Sequence, residues 1–439
     1  MLDYHLKLVG RSLRQRPGHA LLVVAGIALG VAVATVFSAI RHSFAKDPIP
    51  SKSGVLYYVR MDSWDPAHPN FEPVPSQVTY MDAMGIMRSS IPVRQSVMTR
   101  AELNVIPEPG KAHPSREPTR LCFGDFFTMF DVPFEYGSGW DRKADEARDP
   151  VVVLSKDLND RVFGGGNSVG KVLRIEDRDF RVVGVLARWS PSVLFYDLVS
   201  RRAPGTPEAL FIPFNLVGPM QIQSSGSQAN WKPAAGPGYE AEYLQGEKTW
   251  LQMWVELPTA AKVAEYKDFV DAYTMSQKKV GRFQRPLDNR VTPLLEWMVD
   301  RGAVPPETTA MMIVAILFLS VCALNLMGLL MAKFLARAPQ IGVRRALGAR
   351  RWDIFVLHLL ECEVVALAGG AVGFVAAWLA LFGVNNYVKS MYSRSDVFQM
   401  DWTMLLFAVV ASLAAGLMAG LYPAYRVCRL SPSTYLKLQ

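Results

Sequence analysis

Cysteine and histidine are scarce in this chain: four Cys and six His in 439 residues. Cys122, Cys322, Cys362 and Cys428 are scattered, with neither the spacing of a disulfide framework nor that of a metal site. No nucleophile, base and metal constellation stands out, so the sequence gives no support to an enzyme. A nucleotide site is also missing. The nearest match to a phosphate-cradling GxxxxGK[ST] loop, GGNSVGKV from Gly165, has Val172 where a hydroxyl must hold magnesium, and reads as a structural turn. Charge is sparse, at 20% of residues against 50% hydrophobic, which excludes a disordered chain. Its absence is concentrated in four runs without Asp, Glu, Lys or Arg, at residues 20–40, 308–332, 364–384 and 402–422. At 1.5 Å per residue each covers a hydrocarbon core of about 30 Å, so four membrane-spanning helices are predicted.

The basic residues that remain set the orientation. Residues 1–19 carry Lys7, Arg11, Arg14 and Arg16 against Asp3, residues 333–353 carry six basic groups against Asp353, and residues 423–439 carry Arg426, Arg429 and Lys437. The positive-inside rule places all three in the cytoplasm. The net charge of +8 therefore reflects membrane orientation, not nucleic-acid binding. Residues 1–19 read as a cytoplasmic amphipathic helix, 20–44 as the first transmembrane helix and 45–307 as an extracytoplasmic domain. Then come a second helix at 308–332, a cytoplasmic segment at 333–353, a third helix at 354–384, a short outer loop at 385–401, a fourth helix at 402–422 and a cytoplasmic tail at 423–439. The first span is read as an uncleaved helix, since no small-residue cleavage site follows Ile40. Its Gly26 and Gly30 form a small-xxx-small pair suited to close approach by another helix, in this chain or a second copy.

The outer segment mixes strand and helix patterns. VLYYVRM from Val55 reads as a strand, TYMDAMGIM from Thr79 as a helix and RQSVMTRAELNVI from Arg94 as one or two strands. Val151–Leu154 reads as a buried strand, with Gly164–Gly166 as a permissive turn and Gly184 as a bulge or close-packing site. Residues 224–238, rich in Ser, Gly, Ala and Pro, read as an exposed loop. The fold class predicted is an α-helical membrane protein of four transmembrane helices with a large extracytoplasmic α+β domain between the first two.

The stretch QIGVRRALGARRWDIFVLHLLECEVVALAGGAVG resembles the signature of the FtsX-like permease family of ABC transporters, through Ile341, Gly342, Arg345, Ala346, Leu347, Gly348, Ala349, Ile354, Leu360, Glu361, Gly369, Gly370 and Gly373. The family usually has a charged pair before the Ile-Gly, where this chain has Pro339 and Gln340. PVVVLSKDLNDRVFGGGNSVGKVLRIEDRDFRVVGVLARWSP, with GDFFTMFDVPFEYGSGW before it and EALFIPFNLV after it, is similar to the periplasmic core domain of MacB-type permeases. The end of the chain matches through Pro423, Ala424, Arg426, Leu430, Pro432 and Leu436.

The resemblance implies porter-like and sabre-like subdomains in the outer domain. It also implies a coupling segment that meets a cytoplasmic ATPase through Gln340, Ile341, Gly342, Arg344, Arg345, Ala346, Leu347, Gly348 and Ala349, with Glu361 as the anchor of that segment. The chain would be a non-catalytic permease subunit of a bacterial inner-membrane ABC transporter. It would hold no cofactor, ATP and magnesium residing in a separate ABC ATPase dimer. A second permease copy or a non-identical paralogue, membrane lipids, a periplasmic adaptor and an outer-membrane channel are the expected partners, and export the expected function. Lipoprotein extraction and mechanical regulation of a cell-wall hydrolase are the alternatives.

Overall fold

The computed structural model describes residues 17–66, 72–108, 110, 112–189, 191, 193–200, 207–392 and 397–429. The amphipathic helix expected over 1–19 falls almost wholly outside them, as do Leu430, Pro432 and Leu436. The chain divides into a helical unit, built from the segments up to Ala45 and from Val304 onward, and a second unit centred on Lys46–Ala303.

Among the described residues, four helices are long and apolar enough to cross a membrane: Leu21–Ala45, Pro306–Leu335, Arg351–Ser390 and Trp402–Cys428. The first is the apolar part of helix α1, Pro17–Ala45. The outer segment then contributes β1 (Leu56–Arg60), α2 (Tyr80–Ile86), β2 (Arg94–Ile106), β3 (Ser115–Cys122), α3 (Asp125–Met129), β4 (Phe134–Gly137), α4 (Arg142–Ala147), β5 (Val151–Leu154), α5 (Lys156–Phe163), β6 (Val172–Ile175), β7 (Arg178–Leu186), β8 (Leu210–Pro213), β9 (Gln252–Glu256), α6 (Ala260–Lys279), β10 (Arg290–Pro293) and α7 (Leu294–Asp300). Helices α8 (Pro306–Leu335), α9 (Ala338–Ala346), α10 (Arg351–Tyr392) and α11 (Trp402–Cys428) follow.

Small residues decide how the bundle packs. Gly26 and Gly30 find their partner within the chain: a Cβ on Gly30 would stand 2.7 Å from Leu319 Cδ1 on α8, and one on Gly26 3.2 Å from Leu326 Cδ2. On the next face of α1, Ile27 and Val31 press against Gly369 and Gly373 of α10. Gly416 and Gly420 of α11 receive Ala366 and Cys362 of α10. Three small-xxx-small pairs thus let backbones approach where apolar burial alone gives no preference over lipid. Helix α10 is longer than the charge-free run suggested. Asn385–Tyr392 contains no Pro or Gly, so the helix continues for two turns into what read as an outer loop.

The outer unit is one ten-stranded sheet in the order β10-β1-β9-β2-β3-β8-β5-β7-β4, with β6 pairing both β2 and β7. That second pairing closes a ring through β2, β3, β8, β5, β7 and β6. Strand β2 belongs to both halves: Arg94–Met98 pair with β9, and Val105 and Ile106 pair with β6. One hydrophobic cluster runs under both, from Val59 and Met253 to Leu173 and Phe180. The predicted strands at Val55, Arg94 and Val151 are β1, β2 and β5, and all four residues of β5 are buried. Gly164 and Gly165 take φ of 78° and 85°, the left-handed turn expected of them. GGNSVGKV lies between a helix and a strand, the reverse of the strand-then-helix order of a phosphate loop, and Lys171 rests over the Phe163 ring. The strand that follows the first span, β1, pairs antiparallel with the strand that precedes the second, β10. Trp297 of α7 fastens this edge: its ring stacks on Tyr58 at 4.1 Å, and the guanidinium carbons of Arg60 and Arg301 lie 4.7 and 5.4 Å from its centroid.

One buried carboxylate in this unit carries a pH signature. Burial pushes the Asp145 carboxyl up to about 6, although the Gly124 N–H and the Trp140 indole donate to it at 2.8 Å each. Its ordinary value is 3.8, so the folded state binds the proton more tightly than the unfolded chain. Stability from this group therefore rises as pH falls from about 6 to about 4, by at most ~3 kcal/mol. In thermal melts of the full chain, the wild-type midpoint minus that of Asp145→Asn is expected to increase on acidification through that window. A difference that stays flat with pH would refute the assignment.

Candidate functional site

Helix α9 is short, basic and two-faced. Pro339 lies in its first turn, where no backbone N–H is needed and a fixed φ favours helix. Its far end is closed when Leu347 N–H donates to Val343 O at 3.0 Å and Gly348 turns left-handed at φ 101°. Few residues but glycine occupy that conformation at a helix end without strain. Gln340, Val343, Arg344 and Leu347 fall at i, i+3, i+4 and i+7 and are all exposed, Leu347 at 84%. The opposite face is buried through Ala338, Ile341 and Gly342. Ile341 joins Phe334 of α8 and Ile354 of α10 in the membrane core, and Ala349 packs against the same cluster. Arg345 is half-buried and Gly348 exposed. The predicted contact residues are thereby sorted: Gln340, Arg344, Leu347 and Gly348 face outward, while Ile341, Gly342 and Ala349 hold the helix to the bundle. Ala346 closes the helical segment.

Behind α9 lies an ionic node. Glu361 of α10 is 4% exposed at its side chain; its Oε1 accepts from Lys333 Nζ of α8 at 2.6 Å and from Arg337 Nη1 at 3.4 Å. Its Oε2 lies 3.5 Å from His358 Nδ1, one turn earlier on the same helix. Lys333 is as deeply buried as Glu361. The carboxylate therefore joins the end of α8, the residue that opens α9 and the start of α10. The sequence pointed to Glu361 but not to Lys333, which reads as an ordinary stop charge after an apolar run. Trp352, on the first turn of α10 and 68% exposed, is likewise not marked by the sequence pattern.

Residues 20–273 match the family described as MacB-like periplasmic core domain, and residues 312–432 match FtsX-like permease C-terminal. The chain is an FtsX-like permease of the MacB type. An ABC transporter permease of this kind is a membrane protein with an extracytoplasmic domain, and the sheet unit between α1 and α8 is that domain. Curated relatives include the macrolide export ATP-binding/permease protein MacB of Chromobacterium violaceum, 22% identical, with 70% of this chain and 41% of that protein covered. The pyoverdine export ATP-binding/permease protein PvdT of Pseudomonas aeruginosa is 24% identical over 72% of this chain and 41% of its own length. The MacB-type permease thus spans less than half the length of these relatives. Among solved structures, the periplasmic region of MacB from Actinobacillus actinomycetemcomitans aligns with 12% identity and a TM-score of 0.36, covering 58% of this chain and 98% of that one. The extracellular domain of the transporter YknZ from Gram-positive bacteria gives 10% identity and a TM-score of 0.34, over 54% and 99%.

Proposed function

We propose that this permease relays motion from a separate cytoplasmic ATPase dimer to its periplasmic domain, driving export through an adaptor and an outer-membrane duct. The observation that carries the reading is the division of α9 into an exposed stripe, Gln340, Val343, Arg344 and Leu347, and a buried back joined to α8 and α10 through Ile341 and the Glu361 node. A push on such a helix has to move both spans, because tearing the buried carboxylate from its cations is costly. In the outer unit, the first strand after the first span, β1, and the last strand before the second span, β10, are paired neighbours. The chain itself is non-catalytic in this reading and sits in the inner membrane with both termini in the cytoplasm. Coupling runs through Gln340, Ile341, Gly342, Arg344, Arg345, Ala346, Leu347, Gly348 and Ala349, with Glu361 as anchor. Export ranks ahead of lipoprotein extraction because the named relatives are export proteins. A second permease completes the complex, either another copy or a paralogue bearing the acidic group that Gln340 lacks.

The test is purification of the full chain from membranes, with mass spectrometry of what is retained and an ATPase assay. An ABC ATPase and an adaptor are expected, with ATPase recovery falling at least ~10-fold for Leu347→Asp. A cell-wall hydrolase in place of the adaptor would replace export by regulation. Absence of any ATPase would overturn the relay.

A further inference from the structure

Two residues beyond Glu361 stands a second glutamate whose surroundings are the opposite. Glu363 lies about 200° further round α10 and faces α11. Its carboxylate sits against Gly416: a Cβ added there would stand 3.0 Å from Oε2 and 3.1 Å from Oε1. Both oxygens are shut off from solvent, and neither has a hydrogen-bond partner. Lys333, Arg337 and His358 are all engaged by Glu361. Cys362, the next titratable neighbour, packs its Sγ against Gly420 of α11. Helix α1 has no Asp, Glu, Lys or Arg from Ala20 to Ile40, and Arg426 of α11 donates to the Tyr422 hydroxyl at 3.1 Å.

The level of this pair follows from α11. Gly416 falls inside the charge-free run 402–422, fifteen residues from Asp401 and ten from Arg426, about 22 and 15 Å along the helix. The carboxyl is thus far from either charged end. Burial removes water from it, and the chain supplies neither a cation nor a donor, the conditions under which a carboxyl gives up its charge rather than keep it. The packing also limits what can complete the site. A metal ion would find a single ligand, since no cluster of metal-ligating side chains occurs among the described residues. An amine would need room that is already filled: one carbon added to Gly416 would press on Glu363 and stand 2.7 Å from the Ala366 Cβ. A proton needs neither ligands nor space.

We propose that Glu363 is a proton-binding site in the seam between α10 and α11, occupied while the seam is closed and emptied when the helices part. In the closed seam the O–H bond keeps the group neutral. When α11 moves away, water reaches the carboxyl, the O–H bond breaks heterolytically, the proton passes to water and the carboxylate left behind is hydrated. Closure reverses the step and takes one proton back. The site rests on the helical unit alone, so it can fail while the relay stands.

Infrared spectroscopy of the full chain at about pH 8, in nanodiscs of ether-linked lipids that add no ester carbonyl band, is the test. Asp145, at about 6, is ionised under those conditions. A neutral carboxylic-acid band is expected that moves when glutamate, and not aspartate, is isotope-labelled at its carboxyl carbon, and that is missing from Glu363→Gln. The glutamine keeps shape and neutrality. Only wild type must take up a proton on folding, so Glu363→Gln should gain on wild type as pH rises from about 5 to about 8, by up to roughly tenfold in the folding equilibrium per pH unit. Gly420→Val wedges the seam without touching the carboxyl, since its Cβ meets Cys362 Sγ at 2.6 Å, and the band should shrink. Absence of the glutamate band from labelled wild type, which needs no variant to fold, would overturn the site, as would a band that survives Glu363→Gln. An undiminished band in folded Gly420→Val would overturn the link to seam closure.

Discussion

Replacing Glu361 by alanine is expected to cost about 3–5 kcal/mol and to uncouple whatever α9 senses from the spans above it. The magnitude follows from what is left behind, not from what is removed. Lys333 Nζ is buried and bonds to Glu361 Oε1 at 2.6 Å, and Arg337 shares the same oxygen. Without the carboxylate, two cations at the edge of the membrane core lose the charge that justified their burial. Truncating Lys333 as well removes the more deeply buried of the two cations and leaves only the less buried Arg337, so Lys333→Met with Glu361→Met should be far milder than Glu361→Ala. The double substitution separates stability from transmission: it should restore the thermal midpoint of the purified chain while leaving ATPase stimulation impaired, since the ionic link between α8, α9 and α10 is still gone. Equal losses in single and double variants would mean that the node is not a coupled unit. Full stimulation in the double variant would mean that it serves stability alone.

Much of this architecture could be read from residue patterns because it depends on local composition. A charge-free run of about 20 residues has to leave water whatever surrounds it, and a basic flank fixes its direction. Helix α9 was visible for a similar reason, its apolar and basic residues alternating at helical spacing around Gly348. What escaped depends on residues far apart in the chain. Lys333 and Glu361 are 28 positions apart, and nothing in either neighbourhood says that they share a burial site. Gly26 and Gly30 announced a close contact without naming the helix, and the structure supplies Leu319 and Leu326 of α8. The ring in the outer unit closes only because the four-residue β6 reaches both β7 and the last two residues of β2, a pairing that strand patterns do not encode.

The same long-range character makes Arg120 the residue whose loss is expected to damage the outer unit most. It stands on β3, fully buried, with Nη2 2.5 Å from Asp197 Oδ2 and also bonded to Glu208 Oε1. Burial pushes both carboxyls up, but the Arg120 guanidinium, together with Gln252 and the Ser200 N–H at Asp197 and with Arg100 and Tyr196 at Glu208, holds them below the usual carboxylate range. Tyr196 O–H donates to Glu208 Oε2 at 2.7 Å, and Gln252 Nε2 donates to Asp197 Oδ1 at 2.5 Å. The network thus joins β3 of the ring to β9 of the extension through the connection between β7 and β8. Arg120→Met takes the largest cationic influence from two buried carboxylates that repel each other, a loss of about 3–5 kcal/mol against a total of about 5–15. The pH dependence is the sharper test. In the wild type these depressed carboxyls contribute stability above about pH 4 that is lost on acidification. In Arg120→Met burial dominates, the folded state gains protons more readily than the unfolded chain, and stability should rise as pH falls from 7 toward 5. Adding Asp197→Asn and Glu208→Gln should recover much of the loss at pH 7, because the buried charge is gone and the acceptors for Gln252 and Tyr196 remain. A loss that is the same at pH 7 and pH 5, or that the neutral pair does not relieve, would mean that Arg120 acts through packing, and the electrostatic tie between ring and extension would have to be abandoned.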